Sequence, residues 1–283
     1  MLFSPTLHKI SLTIAFAMFF SVFGYAQNQL IFKSQYSPEK RYAQSTIINT
    51  ESTIKYAGSE QFLKKIKDRG IENPTLQVDK STTEIVSISG KPLSNGIFPL
   101  TMEFVKIENK DEKVTLPQGT KFYAHAGNGS VPVIDSIVSK GIEENFKKQL
   151  HEMMQQMFTQ SVFAEKKLKI GEEFTLEIPM SIPIAGIRID MNIISIYKLT
   201  TIKNDIGYFD VIQKTILKSN VAPSYTINAT GNGKGTVLYD IKNNFNIENH
   251  TESEMKLSFS YEIFSIDMTT KSSFIQTTTI TKN

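Results

Sequence analysis

The sequence predicts a mainly β (α+β) fold: a large curved antiparallel sheet or half-barrel with one long and one short helix packed on it. Three observations carry this expectation. Beyond residue 26 the chain is rich in Ile, Thr, Val, Phe and Tyr, with apolar and polar residues alternating at period two. Two segments break that period with helical spacing instead. No Gly or Pro follows Gly235, so the last strands run long, which suits a twisted, curved sheet better than a sandwich with frequent turns.

Residues 1–26 stand apart from this pattern. His8 and Lys9 precede an apolar run from Ile10 to Phe23, and Gly24-Tyr25-Ala26 places small residues at −3 and −1 of a cut before Gln27. This is the pattern of a cleaved secretory signal, with Ala26 and Gln27 flanking the cleavage. The run of 14 residues is shorter than the roughly 20 that a spanning helix needs, and Ser11, Thr13 and Ser21 interrupt its apolar character. The expectation is an exported protein, periplasmic or extracellular, not integral to the membrane after cleavage.

Strands come next. Leu30 and Phe32 alternate with Ile31 and Lys33, and Ser37-Pro38-Glu39-Lys40 supplies a turn with Pro at its second position. Extended patterns follow over 42–56, 75–89, 97–108, 113–116 and 121–126. Near the C-terminus Ser253, Met255, Leu257, Phe259, Tyr261 and Ile263 share one strand face, and Glu252, Glu254, Lys256 and Glu262 the other. The apolar phase shifts by one residue at Ile263-Phe264, which predicts a bulge or a turn there.

The short helix is predicted over 59–69, with Ser59 as N-cap, Phe62, Leu63 and Ile66 on one side, and Gly70 as its stop. The long helix is predicted over 142–162. There Ile142, Phe146, Leu150, Met153, Met154, Met157, Phe158 and Val162 recur in steps of three and four. Two organisations fit residues 27–283: one β-rich domain, or two lobes, 27–140 and 163–283, joined by a helix over 141–162. A short echo between Pro38-Glu39-Lys40-Arg41-Tyr42 and Gly171-Glu172-Glu173-Phe174 motivates the second.

The chain resembles a domain-of-unknown-function family of secreted β-rich proteins common in Bacteroidota. The likeness rests on Ala26-Gln27 at the cut, an amphipathic helix, and then Lys169-Ile170-Gly171-Glu172-Glu173-Phe174. Long strands and Gly231-Asn232-Gly233-Lys234-Gly235-Thr236-Val237-Leu238-Tyr239-Asp240 complete it. The family's usual aromatic after the Gly-acid turn is Trp, where this chain has Phe174. The resemblance implies an exported β protein and transfers no catalytic residues.

Composition narrows the chemistry. The chain has no Cys, which excludes disulfides, thiolate metal sites, a Cys nucleophile and an acylated Cys after the signal. The formal charge is +3, and removal of Lys9 with the signal takes it to +2, so charge gives no reason to expect nucleic acid as a partner. Gly231 to Thr236 is not a phosphate loop, because Lys234 is followed by Gly235 and the next element reads as a strand; a glycine-rich hairpin turn or bulge is expected. Gly127-Asn128-Gly129 reads as a hairpin turn. His125, His151 and His250 show no metal-ligand spacing and read as surface residues, His151 on the polar side of its helix. No G-x-S-x-G occurs, and no catalytic residue, cofactor or metal site is expected. Asp135-Ser136-Ile137 matches a loose bacterial O-glycosylation pattern at Ser136. The basic cluster Lys64, Lys65, Lys67 and Arg69 reads as a solvated face, with an anionic lipid surface as its alternative.

The Met-rich stripe is the most suggestive feature. The first reading of Phe146, Leu150, Met153, Met154 and Met157 is that they pack the helix onto its sheet; they would line an apolar cavity if the curved sheet left a gap beneath the helix. The leading expectation is an exported, non-enzymatic envelope protein that binds an apolar or amphipathic ligand such as a lipid, or an envelope protein partner. A structural or interaction module with a packed interior is the alternative, and a hydrolase a more remote one.

Overall fold

The computed structural model describes residues 28–109, 116–127, 131–161, 165–184, 187–217 and 225–283. The signal segment with Ala26 and Gln27, the strand expected at 113–115, and Asn128-Gly129 lie outside these residues. The elements in order are β1 (Gln29–Phe32), β2 (Lys40–Gly58), α1 (Glu60–Asp68), β3 (Thr75–Ser89), β4 (Phe98–Asn109), β5 (Lys121–Ala126), β6 (Val133–Val138) and α2 (Glu144–Ser161). They continue with β7 (Lys166–Lys169), β8 (Glu173–Ile184), β9 (Ile187–Lys203), β10 (Ile206–Leu217), β11 (Tyr225–Asp240), β12 (Phe245–Tyr261) and β13 (Phe264–Lys282).

Eleven strands form one antiparallel sheet in the order β6-β5-β4-β3-β2-β13-β12-β11-β10-β9-β8, and β1 pairs with β7 in a small second sheet. The mainly β architecture is as the alternation predicts, and the sheet is not closed. Strands β2–β6 come from the first half of the chain and β8–β13 from the second. The two meanders meet in the β2–β13 ladder, in register from Lys40↔Lys282 to Gly58↔Phe264. The expected phase change at Ile263-Phe264 is a turn: Glu262 and Ile263 form the tip of the β12–β13 hairpin.

Three hydrophobic clusters sit on one face of the sheet, here called the inner face. The first lies under the β1–β7 pair, where Leu30, Phe32 and Leu168 pack on Phe174, Leu199, Phe209, Val237 and Tyr239. The second joins Leu100, Met102, Phe122, Ala124 and Ile134 to Leu150 of α2. Residues 29–36 run between these clusters as a strap: Phe32 is buried in the first, and Tyr36 packs against the second. Tyr36 also meets Tyr42 and Phe245 with ring centroids 4.9 and 5.6 Å apart.

The third cluster lies toward the opposite end of the strands and comprises Ile189, Met191, Ile227, Ala229, Leu257 and Phe259. α1 touches its margin through Phe62, stacked on Phe264 at 4.9 Å. Met191, Leu257 and Phe259 are buried. Strands β9 and β12 are three positions apart, about 14 Å in a flat sheet, so curvature of the sheet brings their side chains together in this cluster. The curvature is made along β11. Gly231, Gly233 and Gly235 lie on the inner face of that strand, and a Cβ at Gly235 would stand 2.2 Å from the His250 carbonyl oxygen. At Gly231 it would meet Thr215 Oγ1 at 2.6 Å. Absence of side chains lets β10 and β12 close over β11. The glycine-rich segment is thus neither hairpin turn nor bulge, contrary to expectation; it is the middle of an uninterrupted strand.

The two sheet edges are protected differently. On β6, Gln155 of α2 accepts from the Ile134 N–H at 2.9 Å and donates to the Pro132 carbonyl at 3.1 Å. His151 Nε2 donates to the Ile134 carbonyl at 3.0 Å. On β8, Pro179 and Pro183 have no N–H to offer an incoming strand.

Candidate functional site

Long strands fix the side chains of the candidate site in rows. On the outer face, register aligns Glu51, Lys271, Glu254 and Asn232 across β2, β13, β12 and β11. The neighbouring row is Asn49, Ser273, Glu252 and Lys234. Opposite charges stand next to one another in both rows, an arrangement that favours pairing across strands. Asn49 Nδ2 donates to Ser273 Oγ at 3.1 Å. Here the outer face is hollowed. The depression measures about 640 Å³; Val78 adds an apolar side chain among the charged groups, and the backbone of Gly233 forms part of the floor. Val78 is 55 % exposed, so an apolar side chain is presented to solvent between carboxylates and ammonium groups. Lys256 pairs with Glu254 at 3.3 Å, whereas Lys234 and Lys271 have no carboxylate within 4.0 Å among the described residues.

The hollow can hold a flexible molecule with an apolar segment and groups of both charge signs. Its lining contains no histidine, and Ser273 is the lining hydroxyl that shares a face with the charged rows. Among the described residues no group of three or more His, Asp or Glu side chains is placed to hold a metal ion.

The residues singled out from the sequence fall elsewhere, and α2 divides its apolar stripe. Leu150 is buried, and Met154 and Phe158 pack half-buried against the second cluster. Phe146 and Met153 face solvent, Met153 at 52 % exposure, and the Met157 side chain lies outside the described residues. Beneath the helix Phe122, Leu100, Met102 and Ala124 are themselves buried. His151 departs from its expected place on the polar side of α2, because the unpaired β6 carbonyl of Ile134 draws it inward.

The remaining histidines do not assemble a nucleophile. His125 Nδ1 lies 2.8 Å from Asp135 Oδ1 on the exposed face of β5 and β6. His250 Nε2 stands 4.0 Å from Glu252 Oε1. Ser136 is exposed on β6 and pairs in register with Tyr123.

Four tyrosines have raised hydroxyl pKa values. Burial pushes the Tyr36, Tyr42 and Tyr197 hydroxyls above their ordinary value, and pushes Tyr239 up to about 12. These groups belong to the core and the strap.

The hollow residues were hidden from the sequence. Glu252 and Glu254 read as a solvated strand face, but which lysines lie beside them depends on register, and register is not local information. Val78 gave a weak signal, as an apolar residue between Gln77 and Asp79.

The fold is that of a mainly β protein built on one large antiparallel sheet that is not closed. No protein-family model matches the sequence, and no curated protein matches it. Among solved structures, the crystal structure of Pseudomonas aeruginosa OpdL is similar at 6 % identity over 85 % of this chain and 99 % of that one, with a TM-score of 0.23. A score this low carries no argument about fold or function. Among the described residues no helix is long and apolar enough to cross a membrane.

Proposed function

We propose that the chain is an exported, non-enzymatic protein of the cell envelope that binds an amphipathic ligand of mixed charge on the outer face of its sheet. One observation carries this reading: the hollow of about 640 Å³ where Val78 lies beside Glu51, Lys234, Glu252, Glu254 and Lys271. Apolar surface and both charge signs within one concavity match a molecule with a short apolar part and a zwitterionic or mixed-charge head. Export follows from the reading of residues 1–26 as a cleaved signal.

The packing beneath α2 favours this outer site over one under the helix, since Leu150, Met154 and Phe158 already occupy the space between helix and sheet.

Native mass spectrometry of protein purified from its own host tests the proposal. The expected result is a bound small molecule that organic denaturant releases and that the Lys234→Glu/Lys271→Glu variant fails to retain. Both positions are on the solvated face, so the variant should melt within a few degrees of the parent. A bare chain mass in repeated preparations, or equal retention by the variant, refutes the reading.

A further inference from the structure

The end of the sheet that carries α1 combines features the hollow does not use. α1 is amphipathic: Phe62, Leu63 and Ile66 are half-buried, while Lys64, Lys65, Lys67 and Arg69 are exposed. None of these four cations has a carboxylate within 4.0 Å among the described residues. From Glu60 to Arg69 they are opposed only by Glu60 and Asp68. Helical spacing sets Lys65 and Arg69 on one flank of the apolar side and Lys67 on the other, so both edges of that side are basic.

The β12–β13 turn is fastened to the start of this helix. The Ser59 N–H donates to the Ile263 carbonyl at 3.1 Å, and Phe62 stacks on Phe264 at 4.9 Å. Ile263 itself points away from this contact and is 61 % exposed, a β-branched aliphatic side chain at the tip of a hairpin. A hollow of about 400 Å³ opens beside it, with Tyr225 and Tyr261 in its wall.

We infer that this end of the molecule is a docking surface for an anionic lipid bilayer. Charge complementarity selects the occupant. Four exposed, unpaired cations on α1, against Glu262 at the hairpin tip beside exposed Ile263, leave this end net basic and suit a plane of negative headgroups with hydrocarbon beneath it. Ile263 would enter the acyl boundary, Tyr225 and Tyr261 would lie at headgroup depth, and the lysine stems would extend along the interface with their ammonium groups in the phosphate layer. Docked in this way, the sheet projects from the membrane by its far end. This surface is separate from the hollow, so the two assignments stand or fall independently.

The chain contains no Trp, so Ile263→Trp installs a sole indole at the proposed contact. The processed chain beginning at Gln27 is titrated with vesicles of phosphatidylcholine mixed with phosphatidylglycerol, and with phosphatidylcholine alone. The expected result is a blue shift of the indole with the mixed vesicles only, reversed by salt. In the same background Lys64→Gln/Lys65→Gln/Lys67→Gln should lower the partition coefficient about fivefold per lysine, about a hundredfold in all. Those side chains are exposed, and unchanged far-ultraviolet circular dichroism establishes that the variant is folded. Because Trp is itself interfacial, co-sedimentation of the parent chain with the same vesicles accompanies the titration. Absence of parent binding to mixed vesicles at low salt, or equal binding by the lysine variant, overturns the inference.

Discussion

Replacing Tyr239 by Phe removes one hydroxyl from the junction of strap and sheet, and the structure gives its consequences in two independent ways. The hydroxyl accepts from the Lys33 N–H at 3.1 Å. It donates toward the Lys33 carbonyl at 2.9 Å, with the Ile31 carbonyl and Asn244 Oδ1 at 3.2 and 3.3 Å. The side chain is fully buried beneath the strap, and its ring lies 4.8 Å from Phe32. The ring remains in Tyr239→Phe, so little packing is lost. The backbone groups of Lys33 lose their partner in a partly buried place, which costs about 1–3 kcal/mol. The second consequence concerns alkali. Burial raises the hydroxyl from 10.0 to about 12. Between those values the unfolded chain is ionised there and the folded chain still holds its proton, so stability is intact below pH 10 and falls as pH rises toward 12. The full effect of this one group is about 2–3 kcal/mol, at ~1.4 kcal/mol per pH unit. Tyr36, Tyr42 and Tyr197 are shifted in the same direction, so the parent has a steeper alkaline loss than Tyr239 alone supplies. Urea unfolding at neutral pH and at a series of values from 9 upward measures both terms. The variant should be less stable at pH 7 and lose stability less steeply above pH 10, by about one proton's worth. An unchanged midpoint at pH 7 together with a parental alkaline slope would refute both the strap bonds and the burial of this hydroxyl.

Three further variants have outcomes set by the geometry. Gly235→Ala puts a methyl 2.2 Å from the His250 carbonyl oxygen, which β12 can relieve only by moving away. A loss of about 3 kcal/mol is expected in thermal or chemical melts, whereas Gly70→Ala, with open space around a φ of +71°, should lose only about 1–2 kcal/mol. Gln155→Leu leaves the Ile134 N–H and Pro132 carbonyl without their side-chain partner. Hydrogen exchange at the Ile134 amide should accelerate at least tenfold, and parental protection there would contradict the sealing of β6 by α2.

What the sequence disclosed follows the range of each signal. Strands β3 and β5 match their expected spans because alternation is written within the strand, and Ser59 caps α1 as expected, accepting from Phe62 N–H at 3.3 Å. Gly231 to Gly235 misled because glycine spaced by polar residues is a local turn signature, whereas its reason here is nonlocal. Each missing side chain makes room for Thr215, Gln213 or Thr251 from a neighbouring strand. The α2 stripe was legible as a stripe but not in its aim. Which of Met153 and Met154 meets the sheet depends on the tilt that His151 and Gln155 impose by bonding to β6. The site was least legible, since the hollow exists only after five strands have found their register.

The strand order also explains why the helix lies where it does. Neighbours in the sheet follow chain order as if around a ring, with β2 meeting β13, so a single seam remains, between β6 and β8. The chain must cross that seam, and it does so through α2 and β7. A helix there satisfies its own backbone, and its side chains can serve the edge it passes. His151 and Gln155 do this for β6, one turn apart on the face toward that strand. Among the described residues no helix lies over the β8 edge, and its sequence supplies Pro179 and Pro183 instead. A covered edge can be uncovered when α2 is displaced, whereas an edge that lacks donors cannot be made adhesive by movement. Loss of the α2 contacts should therefore expose β6 first, and self-association of destabilised variants should begin at that strand.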